Sequence, residues 1–207
     1  MKARPGRLCA GCLVALALTS VGVLAAAPAA PAVDAPSDPA KLDELLRLLA
    51  ARRHGHVAYK EVHELRMLER PLQSSGELLY DAPEHLEKRT LTPKPETLIL
   101  DHGILTARRG HRARVLALRD YPQVVPFVES IRATLAGDRA ALEHFFRMQL
   151  TGDLDHWSLM LVPREATLAR IVKDIRIAGA REAIHSVEIH QADGDASVLS
   201  IGPEIPP

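Results

Sequence analysis

The sequence is poor in the residues that carry most covalent chemistry. Two cysteines occur in 207 residues, both within the first twelve. If that N-terminus is removed, disulfides, cysteine-ligated metal and cysteine nucleophiles go with it. Aromatic residues make up 3 % of the chain, too few for a platform on which nucleic-acid bases stack. Excess charge of one sign is missing too, since 26 Lys and Arg face 26 Asp and Glu. That balance gives no general attraction to nucleic acid or to an anionic membrane. No Gly-x-Ser-x-Gly elbow occurs, and Ser74-Ser75-Gly76 reads as a turn.

One long apolar run is present, at the start. Lys2, Arg4 and Arg7 precede it, and Leu13 to Ala27 form it. At about 15 residues it suits the core of a secretory signal and is short for a spanning helix of about 20. Ala-x-Ala-like sites follow at Ala25-Ala26-Ala27 and Ala30-Pro31-Ala32. The pattern predicts a cleaved signal peptide over residues 1–32, which leaves about 175 residues. A lipid anchor would need a cysteine after the run, whereas Cys9 and Cys12 come before it. A cysteine-free exported chain points to a bacterial periplasm, where a domain of this size relies on its core alone. Residues 33–40 read as a flexible lead-in and 41–207 as a single domain.

From Leu42 the apolar positions Leu42, Leu45, Leu46 and Leu49 have the spacing of one helical face. Asp38 or Pro39 can start that helix and Gly55 can end it. After Gly55 the period shortens to about 2, with Val57, Tyr59, His63, Leu65 and Met67 on one side. Short strand-like runs follow up to Asp120, each ended by Gly, Pro or Asp. Residues 122–146 return to helical spacing, with Val124, Phe127, Val128, Ile131 and Leu135 on one face. Gly137 breaks this insert and Asp138 can cap its second half. Strands resume from "RMQLTGDL", and Asp193-Gly194 marks a tight hairpin. No helix-length segment separates the strand-like runs up to Asp120, so they read as an antiparallel meander, and with the helices the fold is α+β. If the sheet curls, the first helix and the insert cover its concave side, and the enclosed space is either a core or a cavity.

The run "GELLYDAPEHLEKRTLTPKPETLILDHGILTARRGHRARV" resembles the central signature of the LolA family of periplasmic lipoprotein carriers. It has the family's Gly-x-Leu strand (Gly76, Leu78), Pro83, a strand begun at Leu86, Pro93 or Pro95, the strand Leu98 to Leu100, and a turn from Asp101 to Gly103. Later, "HWSLMLVPRE" and "IVKDIRIAGAREAIHSVEIHQADGDASVLSI" follow the family's closing strands. The resemblance covers roughly residues 42–202 and rests on turns and apolar positions.

The resemblance implies a strongly curved open half-barrel closed by helices, with an apolar cavity for acyl chains. The strands would line it with Tyr59, Leu65, Leu78, Tyr80, Leu98 and Leu100. The insert would add Phe127, Ile131 and Leu135, facing Trp157, Leu159 and Leu161. Trp157 suits core and cavity wall equally, and the insert stripe suits helix packing as well as ligand contact. The implied function is to shield the acyl chains of a lipoprotein, or of another acylated lipid, between an inner-membrane donor and an outer-membrane acceptor. It needs no enzyme activity, cofactor, metal or nucleic acid, and a monomer suffices. The alternative is a LolA-like module that senses or binds lipid in envelope regulation.

Two departures stand out. Carriers of the family place an Arg, which holds the helical lid, where this chain has Ala82; Arg89 or Arg108 is the candidate substitute. Leu86 and Lys88 stand where cavity-lining rings are expected. Elsewhere, His54, His56 and His63 lack a third ligand at metal spacing. His185 and His190, five apart on a strand, point to opposite faces. The run "ARRGHRAR" at 107–114 reads as a solvated hairpin.

Overall fold

The computed structural model describes residues 38–121 and 125–206. The expected signal peptide, most of the lead-in and Val124 lie outside the described residues.

Helix α1 (Pro39–Ala51) begins where its sequence can satisfy free backbone donors. Asp38 caps it, its carboxylate accepting from the Ala40 N–H at 3.0 Å, and Pro39 supplies the first helical residue. The helix thus takes in the last two residues of the expected lead-in. Its four periodic leucines are each at most 3 % exposed. Such burial contributes about 1.5–3 kcal/mol per side chain.

Six strands then run in order: β1 (His54–Glu64), β2 (Leu72–Asp81), β3 (His85–Thr92), β4 (Glu96–Asp101), β5 (Ile104–Arg109) and β6 (Arg112–Ala117). The insert forms α2 (Val125–Ala136) and α3 (Arg139–Phe145). Gly137, at φ +66°, ends α2, and Asp138 accepts from the Ala141 N–H at 3.0 Å to start α3. Strands β7 (Phe146–Gly152) and β8 (Trp157–Pro163) follow, then a single turn α4 (Ala166–Ala169). Strands β9 (Val172–Ala180), β10 (Ala183–Gln191) and β11 (Ala196–Glu204) complete the order.

All eleven strands form one antiparallel sheet in the order β6-β5-β4-β3-β2-β1-β11-β10-β9-β8-β7. The first strand pairs with the last, so β1 and β11 lie at the centre and β6 and β7 at the edges. The sheet is curved and does not close, as the α+β half-barrel reading expects. Side chains alternate between its two faces. The register puts Tyr59, Gly76, Thr90 and Ile201 on one face, with Val187, Ile177 and Leu159. That face is concave and carries the helices. Leu42, Leu45, Leu46 and Leu49 of α1 share a core with Trp157, Leu159, Leu161, Ile175, Ile177 and Val187.

Leu65 departs from the expected alternation. Strand β1 ends at Glu64, and Leu65 opens a turn in which its carbonyl accepts from the Leu68 N–H at 2.8 Å. Met67, at 86 % exposed, lies in the same turn. "RMLERP" crowds four charged or turn-forming residues into six, so the pattern cannot continue as a half-buried strand.

The tightest point of the sheet is Gly76, where β2 and β3 shift register. A Cβ there would stand 1.9 Å from the Arg89 carbonyl oxygen. Gly76→Ala is therefore expected to cost about 1–3 kcal/mol, the range for forcing atoms into filled space. Urea unfolding of the variant beside wild type measures it, and an unchanged midpoint would mean that the strands have room there.

Candidate functional site

The helices do not cover the concave face evenly. α1 seals the half made by β7–β10, while α2 lies over the half made by β1–β5 and β10–β11. The residues fully buried on α2 are small, namely Pro126, Ser130, Ala133 and Thr134. Ser130 and Thr134 satisfy their hydroxyls within the helix, donating to the carbonyls of Phe127 at 2.7 Å and Ser130 at 2.6 Å. The large apolar side chains Val128, Ile131 and Leu135 are only half-buried. They form one wall of a cavity of about 340 Å³.

Val57, Leu78, Tyr80, Leu86, Leu98, Leu100 and Leu105 form the opposite wall, with Ile184, Val187, Ile189, Leu199 and Ile201. The volume is at the lower end of the range for small-molecule sites, about 300–1,000 Å³. Of the expected site residues, Leu78, Tyr80, Leu98, Leu100, Ile131 and Leu135 line this space.

The others lie elsewhere. Trp157, Leu159 and Leu161 do not face the insert stripe across a cavity. They sit in the closed core under α1, where Leu159 and Leu161 are 0 % exposed, and Phe127 packs against that same core. The reason is order along the sheet: β8 is next to the β7 edge, on the side that α1 covers. The Trp157 indole donates to the Arg181 carbonyl at 3.0 Å, which fixes it as structural core. Tyr59 is buried, its hydroxyl 2.7 Å from the Thr90 hydroxyl. Leu65 is in the β1–β2 turn.

Sequence reasoning put Leu86 at a cavity-lining position and Val128 on the apolar face of the insert, but it did not assign Val57, Leu105 or the strand residues of β10 and β11 to the cavity. Alternation marked most of them as apolar. Only the pairing of β1 with β11 shows that the last strands border the same space as the first.

The expected arginine substitutes do not reach α2. Arg89 and Arg108 both lie on the convex face by register, and Arg89 binds Glu87 at 2.6 Å. The cation that joins α2 to the sheet is Arg132, on α2 itself. It pairs with Glu129 at 2.7 Å, Asp138 at 3.5 Å and Glu84, in the β2–β3 turn, at 3.7 Å. Helix and sheet are thus joined by an ion pair with the cation on the helix. The hydrogen bond to Glu129 is the main reason the Arg132 pKa rises.

Two polar features stand out against this apolar wall. The first is Tyr80, whose buried hydroxyl has no hydrogen-bond partner. Burial raises its pKa, while the charges of Arg132 and Arg53 pull the other way. The second is the pair Glu61–Lys88, in which the Lys88 ammonium donates to Glu61 Oε2 at 2.5 Å. Ser74 donates to the same carboxylate at 3.1 Å, and the His63 ring stands 3.1 Å from it. The Lys88 ammonium also lies 5.0 Å above the Tyr59 ring. Burial alone would raise the Glu61 pKa, but the hydrogen bond and charge of Lys88, with His63 and Ser74, hold it below the usual carboxylate value.

The histidines do not converge on a metal site. His54 meets Asp81, His56 meets Glu77 and His63 meets Glu61, each on its own carboxylate. No cluster of three or more metal-ligating side chains occurs among the described residues. His190, on β10, bonds Asp174 at 2.7 Å on the convex face. The "ARRGHRAR" run forms the exposed β5–β6 hairpin.

The fold and the site together define an open half-barrel with an apolar cavity beneath α2. The family model described as "outer membrane lipoprotein carrier protein LolA-like" matches residues 27–202, and the chain belongs to this family. No curated protein matches it. Among similar solved structures, three at 10–12 % identity illustrate the fold. A LolA superfamily protein from Nitrosomonas europaea has a TM-score of 0.42 at 12 % identity, covering 82 % of this chain and 93 % of its own. The MucA/MucB complex of Pseudomonas aeruginosa gives 0.46 at 12 %, covering 79 % and 56 %. LprF from Mycobacterium bovis gives 0.36 at 10 %, covering 84 % and 96 %.

Two outcomes are expected at the site. Tyr80→Phe removes a buried hydroxyl that no protein group satisfies, so the variant should match or exceed wild-type stability by up to about 1 kcal/mol. A loss of stability in thermal unfolding would mean that the hydroxyl is bonded after all. Glu61, with a lowered pKa, stabilises the fold above the unfolded carboxylate value of about 4.3, and that contribution fades as pH falls through its folded pKa. Glu61→Gln should lose stability near neutral pH and show a shallower acid-side decline, read from midpoints across a pH series. Parallel curves would remove Glu61 from the acid response.

Proposed function

We propose that this protein carries acyl chains through the periplasm, shielding the lipid part of a lipoprotein or of another acylated molecule between an inner-membrane donor and an outer-membrane acceptor. The observation that carries this reading is the unsealed apolar face of α2. A helix with only a structural task would bury its large side chains and leave its small ones nearer the surface. Here the order is reversed, and Val128, Ile131 and Leu135 face open space.

The chemistry required is slight. An acyl chain gains about 0.8 kcal/mol for each methylene withdrawn from water, so apolar area supplies the affinity without a nucleophile or a metal. The charge-neutral composition fits a carrier that takes cargo by its apolar part. The expected signal peptide and family membership support the compartment, and the described residues contain no helix long and apolar enough to cross a membrane. One chain provides all of the cavity's walls, so a monomer suffices.

The test is direct. Lipids extracted from protein purified from the periplasm should include acylated species by mass spectrometry. The purified protein should also retain a fluorescent fatty-acid probe. Ile131→Asp puts a charge into the apolar space, where it is costly unless paired. The variant should fold cooperatively, lose no more than about 3 kcal/mol, and bind the probe at least tenfold more weakly. Wild type that binds no acyl probe would end the carrier reading, and an unfolded variant would make the stripe ordinary core.

A further inference from the structure

We propose that the Glu61–Lys88 pair is a polar subsite within the cavity, and that it receives the carbonyl of an acyl ester or amide whose chain extends toward α2. This rests on the carrier reading and adds to it an orientation and a preference for a class of ligand.

The register gives the cavity a direction. Gly55 at the start of β1, Leu100 and Leu105 beside the β4–β5 turn, and Ile184 at the start of β10 lie at one end. The same end carries Glu84, to which Arg132 of α2 is joined. Glu61, opposite Ser74 and Leu199, and Ser197, opposite Ile189, lie toward the other end. Lys88 pairs with Leu78 in the ladder, four residues along β2 from Ser74. Its side chain nevertheless reaches Glu61 diagonally. Gly76 makes the diagonal possible by leaving the face of β2 bare between Ser74 and Leu78. Apolar walls under α2 therefore give way to a charged pair at the far end.

The pair is poorly explained as a brace. Desolvating two charges offsets most of their attraction, and apolar residues of similar size often hold a fold as well or better. Glu61 is well satisfied, by Lys88, Ser74 and His63. Lys88 is not. An ammonium has three N–H donors, one goes to Glu61, and no other protein acceptor is present among the described residues. Its side chain keeps 26 % exposure and lines the cavity, over the Tyr59 ring. The other two N–H groups are open to solvent and to an oxygen acceptor on the ligand side.

The surrounding charge decides what kind of oxygen. Glu61 already neutralises Lys88. Glu87 and Arg89 pair with each other on the convex side, and at the opposite end of the cavity Arg52 is paired with Glu204 while Glu182 adds a further carboxylate. No positive excess is left for a fatty-acid carboxylate or a phosphate. A neutral carbonyl accepts from the free N–H groups without adding charge to a desolvated site. Esters and amides at the head of an acyl chain have that chemistry.

The experiment is competition for a bound naphthylamine probe by methyl laurate, by laurate and by tridecane. Wild type should prefer methyl laurate to tridecane by about tenfold and should not prefer laurate to its ester. The double variant Glu61→Leu/Lys88→Met removes both charges and strands neither. It should unfold cooperatively, bind probe and tridecane as wild type does, and lose the preference for the ester. If the double variant does not fold, Glu61→Gln/Lys88→Met keeps the bond from Ser74 and serves in its place. A preference that survives the substitution would make the pair a brace, and equal loss of ester and alkane would reduce it to cavity shape. Tighter binding of laurate would assign the site to anions and overturn the neutral class. If wild type takes neither probe nor competitor, the carrier reading fails and the subsite with it.

Discussion

The structure turns on a mismatch between one sheet and its covering. Eleven antiparallel strands present a long concave face of alternating apolar side chains, and among the described residues four short α-helical segments are available to hide it. The leucine row of α1 seals one half completely. Trp157, Leu159, Leu161, Ile175 and Ile177 close against it with almost no exposure. The remaining half meets α2, which approaches α1 closely through Ala133 and its small neighbours and therefore cannot also sink onto β1–β5. Gly137 marks how near the helices come: a Cβ there would stand 2.4 Å from the Leu46 carbonyl oxygen. The cavity is the space that this arrangement leaves.

That origin explains the division of labour between the two halves. A filled core is close-packed and resists change, because each buried side chain has little room to move. The α1 half has this character and anchors the domain. The α2 half has large apolar residues in partial contact, an ion pair from Arg132 to the β2–β3 turn, and a buried tyrosine hydroxyl without a partner. A filled core and an open cavity thus come from adjacent parts of the same sheet.

The polar residues of the concave face follow the same logic. Ion pairs at the rim of the sheet, such as Arg109–Glu96, are partly exposed and contribute little. Glu61 and Lys88 differ, placed among leucines beside the cavity. They interrupt the apolar alternation at positions where a sequence built only for stability would have continued it.

The sequence by itself determined a good deal. The leucine spacing of α1, the Asp38 and Asp138 caps, the break at Gly137 and the chain of short alternating strands are local matters, governed by backbone geometry and capping. They were readable, and so was the meander, since nothing of helix length separates most strands. The polar lapse at "RMLERP" was present too, yet alternation carried the eye past it to Leu65. Which apolar residues meet the cavity was decided only by the tertiary structure. Leu78 and Leu159 are equivalent in pattern, one on each side of the β1–β11 seam, and only the helix lying above each of them differs. The same holds for Arg132, whose partner Glu84 is 48 positions away, and for Lys88, whose reach to Glu61 depends on a glycine in the strand between them. Periodicity says which way a side chain points, and only the packing of distant segments says whether anything is there to meet it.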